Sequence, residues 1–329
     1  MTRLTEDQLI SRFFAPLATL VGSRGLTDDA ATLSVPAGQH LVVTTDALVA
    51  GVHFLPDDPA DLVARKSLRV NLSDLAAKGA RPHAFTLCLA LPQGWTDAWL
   101  EVFAEGLRQD VAAFKFPLLG GDTVKTPGPL TIAIAAFGLV PTAQIPRRDG
   151  AKPGDTIYVS GTIGDGALGL LAHTRQGGLG SILSEGEMAF LSRRYVLPQP
   201  RVALAPAVLA HASASMDISD GFVGDLSKLL RAAGVSAEID LASVPLSVAA
   251  GRACAQDPAH FETALTGGDD YEILCTVPAP RRGAFEADAR STGIAVTQVG
   301  VVKSGTGSPR LVRHDGREMS FTRGSFSHF

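Results

Sequence analysis

Leu41–Phe54, LVVTTDALVAGVHF, begins as an apolar run suited to a buried strand and turns polar within three residues. Leu41, Val42 and Val43 fit a pleated interior. Thr44, Thr45 and Asp46 then set three oxygen-bearing side chains in a row. The pattern predicts a strand over 41–43 whose tip carries Thr-Thr-Asp, followed by a turn that ends in His53. Oxygen ligands at a strand tip suit a hard cation such as Mg²⁺, while an Asp after a strand also serves as a turn or cap residue. A histidine beside an aromatic is equally at home as a structural residue.

Working outward, the same two-sided choice recurs. Thr5 and Gln8 fit a capping box, and Leu9, Ile10, Phe13, Phe14 and Leu17 follow at helical spacing, predicting a helix from about Glu6 to Leu20 that Pro16 kinks or ends. Asp28 and Asp29 repel one another ahead of an apolar segment, harmlessly in a solvated turn but favourably beside a dication. Residues 60–79 read as a helix with Leu68, Leu72, Leu75 and Ala76 on one face and Asn71, Asp74 and Lys78 on another, either a solvated polar face or a functional one. A strand over 85–91 and a helix over 95–114 follow. Gly120, Gly121 and Asp122 then read as a turn before a strand over 130–140.

PTAQIPRRDGAKPG, 141–154, is rich in proline, glycine and charge and marks a domain boundary, giving an N-terminal domain over 1–140 and a C-terminal one over 141–329. Its Arg147 and Arg148 are either solvating residues or a phosphate clamp. Beyond a strand over 156–160, Gly164, Gly166 and Gly169 satisfy G-x-G-x-x-G, but a glycine-rich loop stands where a dinucleotide fold needs a second strand ending in an acid. ASMDISDGFVGDLSKLL, 214–230, places Asp217, Ser219 and Asp220 ahead of an amphipathic helix, more than one helix cap requires. A second Gly-Gly-Asp, with Asp269, Asp270 and Glu272, precedes a strand over 273–277.

The bulk properties bound the class. With 329 residues, 46% hydrophobic and 19% charged, the chain can bury ample core. The net charge of −4 and the absence of a basic stripe give no footprint for nucleic acid or an anionic membrane. Cys88, Cys254 and Cys275 lie in apolar surroundings and read as reduced core thiols. No apolar run reaches membrane-spanning length and no signal-peptide pattern opens the chain, so a cytoplasmic location is expected. No phosphate-loop, protein-kinase, zinc-protease or nucleophile-elbow motif occurs. If the scattered aspartates converge, their repulsion requires bound cations, and ligation by oxygen alone selects Mg²⁺, Ca²⁺ or Mn²⁺ over zinc.

DDAATL, TTDALVAGVHF, VNLSDLAAKGA, GGDTV, GAKPGD, MDISDGFVGDL and GGDDYEI, in this order, closely resemble the thiamine-monophosphate kinases, relatives of phosphoribosylaminoimidazole synthetase and selenophosphate synthetase. The resemblance implies an α+β fold of two α/β domains of the aminoimidazole-ribotide-synthetase type, with the N-terminal sheet forming a homodimer interface. It also implies ATP as co-substrate, several Mg²⁺ ions, and transfer of a phosphoryl group to thiamine monophosphate. Carried over, Asp29, Thr44, Thr45, Asp46, Asp74, Asp122, Asp217 and Asp220 look like metal ligands, with Asp46, Asp217 and Asp220 catalytic. Gly121, Asp122, Arg148 and Ser219 would touch ATP; His53, Asp269 and Phe326 would meet the thiamine side. The chain departs from the family's pattern at Asp269, where Glu is expected, at Thr27, where Gly is expected, and near the C-terminus, where Arg323 stands in place of an aromatic and Phe326 is the nearest one. Other readings are an ATP-dependent synthetase acting on an amide or ribotide, and a non-enzymatic divalent-cation binding protein.

Overall fold

The computed structural model describes residues 5–142, 145–313 and 315–321. Backbone contacts divide the chain into two compact units, Met1–Leu75 with Ala80–Ala143, and Ala76–Gly79 with Gln144–Phe329. Both are α+β.

In the first unit the N-terminal helix starts as its capping box dictates. The Thr5 amide donates to Gln8 Oε1 at 3.0 Å and the Gln8 amide to Thr5 Oγ1 at 3.4 Å. The regular helix α1 (Glu6–Leu9) is only one turn long, however. It passes into a π-turn at Ile10–Phe14 and a 3₁₀ turn at Ala15–Leu17 with Pro16 at its start, so the expected helix to Leu20 is broken where proline removes a donor.

Four strands form the unit's sheet in the order β1 (Gln39–Val49), β4 (Thr131–Pro141), β2 (Arg81–Leu91), β3 (Leu118–Lys125). Helices α2 (Ala60–Ala77) and α3 (Asp97–Phe114) complete it. β1 and β2 each pair antiparallel with β4, and β3 lies parallel to β2 across the α3 crossover. Two expectations are corrected here. β1 does not stop at Val43 but runs through Thr44, Thr45 and Asp46, which pair with Ala136, Ala135 and Ile134. The alanine-rich TIAIAAF of β4 accepts polar cross-strand neighbours without crowding. Gly120, Gly121 and Asp122 likewise belong to β3 and not to a turn.

β4 alternates between fully buried and half-buried residues along most of its length, the signature of a sheet with one face covered and one partly open. The covered face carries Leu48, Leu87, Leu89, Ile132 and Ile134, and Leu68, Leu72, Leu75, Phe103 and Leu107 of the two helices are fully buried. Val43 and Val124 lie about half exposed on the open face, at 57% and 48%. Cys88 is exposed there too, which corrects its reading as a core thiol; Cys275 is buried, and burial pushes its thiol up to about 12.

The polar face of α2 is not solvated. Arg69 grips the buried Asp110 of α3 through Nε at 2.6 Å and Nη2 at 3.0 Å, and Arg65 Nε adds a third contact at 3.0 Å. Lys66, Ser67 and Asn71 are buried as well.

The second unit builds a six-stranded sheet in the order β10 (Arg310–Val312), β7 (Ser236–Asp240), β9 (Val296–Lys303), β5 (Thr156–Ser160), β8 (Glu272–Val277), β6 (Ala214–Ile218). All pairings are antiparallel except β10 with β7. Its helices are α4 (Asp165–His173), α5 (Glu185–Val196), α6 (Ala205–His211), α7 (Phe222–Ala233), α8 (Val248–Gln256), α9 (Pro258–Thr266) and α10 (Arg282–Ser291). The predicted face of α7 is the one that packs: Phe222, Leu226, Leu229 and Leu230 are fully buried in a core with Ile157, Ala214, Ile218 and Leu274. Among the described residues no helix is long and apolar enough to cross a membrane.

Arg69→Met should destabilise the protein by about 3 kcal/mol, because Asp110 stays buried with only the half-buried Arg65 to answer it. A drop in the urea unfolding midpoint checks this; an unchanged midpoint would show that the α2–α3 ion pair contributes nothing net.

Candidate active site

In the first unit the strand geometry sorts the expected ligands. Side chains alternate along β1, so Thr44 and Asp46 share the side of the buried Leu48, whereas Thr45 points to the open face. Thr44 Oγ1 donates to Asp74 Oδ2 of α2 at 2.5 Å, which brings two of the expected ligands into direct contact. Thr45 Oγ1 donates instead to the Ile134 carbonyl at 3.0 Å. Asp122 lies across the sheet on the Thr45 side, in register with Cys88.

Asp122 lines a cleft of about 630 Å³ together with Asp28, Asp29, Gly120, Gly121 and Thr86. Asp28 is answered by Arg24 at 3.3 Å and accepts the Asp29 amide at 2.9 Å. The wall that holds them is strained, since Arg24 and Leu26, neither a glycine, adopt left-handed φ of 49° and 61°. The two glycines of β3 differ in purpose. A Cβ on Gly121 would stand 2.0 Å from the Leu87 carbonyl oxygen, so close strand packing accounts for it, whereas nothing lies within 4 Å of a Cβ on Gly120. Both glycines line the cleft, and Gly120 borders its open space.

His53 closes the turn after β1. Its Nδ1 accepts the Val49 amide at 3.0 Å, which leaves the proton of the neutral ring on Nε2. The buried ammonium of Lys66 donates to the His53 carbonyl at 2.9 Å. Nothing in the sequence marked Lys66, because a lysine on a helix is ordinarily solvated.

In the second unit, Asp217 lies one residue before the end of β6, nearly fully buried, and Ser219 and Asp220 form the turn into α7. Asp225, one turn into α7, holds that turn: its Oδ2 accepts the amides of Ser219 at 3.0 Å and Asp220 at 2.9 Å. Lys228 bridges Asp220 and Asp225, with 2.8 Å to Asp225 Oδ1. Burial raises the Asp225 carboxyl even against the pull of Lys228. Burial alone would lower the Lys228 ammonium, but its bonds to Asp220 and Asp225 outweigh that and hold it above its ordinary value. Asp225 and Lys228 were missed, although their i, i+3 spacing was the signal that could have found them. Arg148 is exposed in a 3₁₀ turn, Arg148–Gly150, that packs on β6 and α7. Its neighbour Arg147 is taken by Asp149 at 2.6 Å.

The Gly268–Tyr271 loop lies against the Asp217–Asp220 turn, its Asp269 amide donating to the Ser219 carbonyl at 2.9 Å and its Tyr271 amide to that of Ile218 at 2.8 Å. The three acids of GGDDYE then diverge. Asp269 is half-exposed. Asp270 turns inward and accepts the amides of Gly164 at 2.7 Å and Gly166 at 2.9 Å. Glu272 is fully buried on Ser160 Oγ, Arg194 and Arg201. Asp270 is thus removed from any shared cation site, and the G-x-G-x-x-G segment proves to be an amide cradle for the protein's own carboxylate. Phe326 and Arg323 lie outside the described residues. Among the described residues, no three His, Cys, Asp or Glu side chains stand together in position to hold a metal ion by themselves.

Residues 27–140 match the family model of the AIR synthase related protein N-terminal domain, and residues 152–311 match that of its C-terminal domain. A curated relative, the thiamine-monophosphate kinase of Caulobacter vibrioides, is 42% identical over 98% of this chain and 91% of its own. The crystal structure of thiamine-monophosphate kinase from Stenotrophomonas maltophilia K279a superimposes with a TM-score of 0.79 at 39% identity, covering 89% of this chain and 91% of that one. A structure of AaThiL complexed with AMPPCP and TMP does so with a TM-score of 0.76 at 30% identity, covering 100% of this chain and 99% of that one. On these similarities, which run through both units, the chain belongs to the thiamine-monophosphate kinase family of AIR synthase related proteins.

Proposed function

We propose that this chain transfers the γ-phosphoryl group of ATP to thiamine monophosphate, releasing thiamine diphosphate and ADP. One observation carries the reading: the chain aligns over its whole length with a family member solved in complex with AMPPCP and TMP. A phosphate oxygen of thiamine monophosphate attacks the γ-phosphorus, its bond to phosphorus forms, and the bond to the ADP oxygen breaks. The nucleophile has a second pKa of about 6 and is already ionised near neutrality, so no general base has to take a proton from it. The protein's task is then to position and to neutralise charge.

Asp29, Thr44, Thr45, Asp46, Asp74, Asp122, Asp217 and Asp220 are the residues we assign to Mg²⁺. Their donors are all oxygen, and the Thr44–Asp74 contact joins a hydroxyl and a carboxylate of that set. Oxygen donors of this kind suit Mg²⁺ that keeps several waters and shares its coordination with nucleotide phosphates. When bound, Mg²⁺ supplies neutralisation of the negative charge on the phosphate oxygens. We assign Gly121, Asp122, Arg148 and Ser219 to ATP, and His53, through its Nε2 proton, Asp269 and Phe326 to the thiamine side. The open face of the first unit's sheet, with Val43, Cys88 and Val124 exposed, supports pairing of this face in a homodimer. A cytoplasmic location fits the substrates.

Purified protein given ATP, Mg²⁺ and thiamine monophosphate should form thiamine diphosphate and ADP in equal amounts; no product at any Mg²⁺ concentration overturns the assignment. ADP release that responds to an amide or ribotide instead would mark a synthetase, and cation binding indifferent to ATP would mark a storage protein.

Asp46→Asn should lower turnover by about 100-fold or more, the scale on which a charge-stabilising group acts in a transition state, while the unfolding midpoint barely moves because the side chain is half-exposed. Turnover within a few-fold of the unaltered chain would remove Asp46 from the site.

A further inference from the structure

Two residues of the Gly268–Tyr271 loop sit where side chains rarely go. Asp269 has φ of 69° and Tyr271 φ of 52°. An aspartate tolerates the left-handed region, but a bulky tyrosine there is an outlier that persists only when its surroundings over-determine it. The residue between them supplies the determination. Asp270 is 1% exposed and occupies both amides of the Gly164–Gly166 cradle. Glycine at 166 is what allows the approach, since a Cβ there would stand 2.3 Å from the carbonyl carbon of Asp269. On either side, the Asp269 and Tyr271 amides are tied to the Ser219 and Ile218 carbonyls. Three consecutive residues are therefore fixed by four hydrogen bonds to two different segments. The Tyr271 hydroxyl, finally, donates to Asp269 Oδ1 at 3.0 Å.

Burial pushes the Asp270 carboxyl well above the ordinary carboxylate range, against the pull of the two amides.

We propose that Asp270 is a positioning residue: by filling the amide cradle it locks Asp269 and Tyr271 so that the Asp269 carboxylate, already bonded by the tyrosine hydroxyl, is presented as the counter-charge to the cationic heteroaromatic ring of thiamine monophosphate. The inference rests on the substrate proposed above.

Calorimetric binding of thiamine monophosphate to the full chain without ATP, followed by steady-state kinetics, tests it. In Asp270→Asn the amide group can accept from only one of the two cradle N–H groups and faces the other with a donor. In Tyr271→Phe only the hydroxyl is lost. Both variants should bind thiamine monophosphate about tenfold more weakly and raise its KM to match, the scale of one lost hydrogen bond to a charged group, while the KM for ATP stays as it was. Tyr271→Phe should keep its unfolding midpoint, which separates positioning from folding should Asp270→Asn prove unstable. Unchanged affinity in Tyr271→Phe, or a KM for ATP that rises in step with that for thiamine monophosphate, overturns the role. Failure of the reaction itself is read separately, from turnover by the unaltered chain; an unaltered chain that does not bind thiamine monophosphate overturns the positioning role as well.

Discussion

A carboxylate taken out of water must be met by a cation or by backbone amides, or it will not stay ionised there. This chain places acids at nearly every turn that matters, and its architecture is in large part the set of answers to them. Asp110 is answered by Arg65 and Arg69, Glu272 by Arg194 and Arg201, and Asp225 by two amides and Lys228. Asp270 is answered by two glycine amides. These internal pairings tie α2 to α3 in one unit and brace the turns of the other. Asp46, Asp74 and Asp269 keep part of their surface in solvent.

That division explains what the sequence could and could not disclose. Local signals were legible because local physics sets them: the Thr5–Gln8 box, the apolar stripes of α2 and α7, and the strand at Thr156–Ser160 all stand as read, whereas α3 buries Leu100, Phe103, Ala104 and Leu107 and leaves Val102 exposed. The end of the first helix was less so, since Pro16 converts a periodic stripe into π and 3₁₀ turns without disturbing its apolar pattern. The course of β1 through Thr-Thr-Asp was hidden for another reason. Its cross-strand partners are alanines of a segment far along the chain, and polar residues are admissible in a strand whose neighbours are that small.

The candidate site shows the same contrast. Asp29, Asp46, Asp74, Asp122, Asp217 and Asp220 were visible as a list, but only coordinates reveal that Thr44 and Asp74 touch while Thr45 and Asp122 face the other side of the sheet. Asp270 looked interchangeable with Asp269. The difference between them is a hydrogen-bond partner more than a hundred residues away, which no spacing rule conveys. The G-x-G-x-x-G segment repeats the lesson in reverse. It is a sound amide cradle, and its occupant is part of the chain.

The register of β1 also has a temporal consequence. Asp46 pairs with Ile134, about ninety residues downstream, and among the described residues β4 is the one strand that pairs with β1. Contacts of such long sequence separation form late, because the loop they close must first lose its freedom. During synthesis the strand carrying Thr44, Thr45 and Asp46 therefore leaves the ribosome with both edges unpaired and waits for the whole of the first unit to follow. An alternating, partly apolar strand in that condition is exposed to pairing with other chains. Polar residues that interrupt an apolar strand are of the kind that disfavour such pairing, and Thr44, Thr45 and Asp46 interrupt this one.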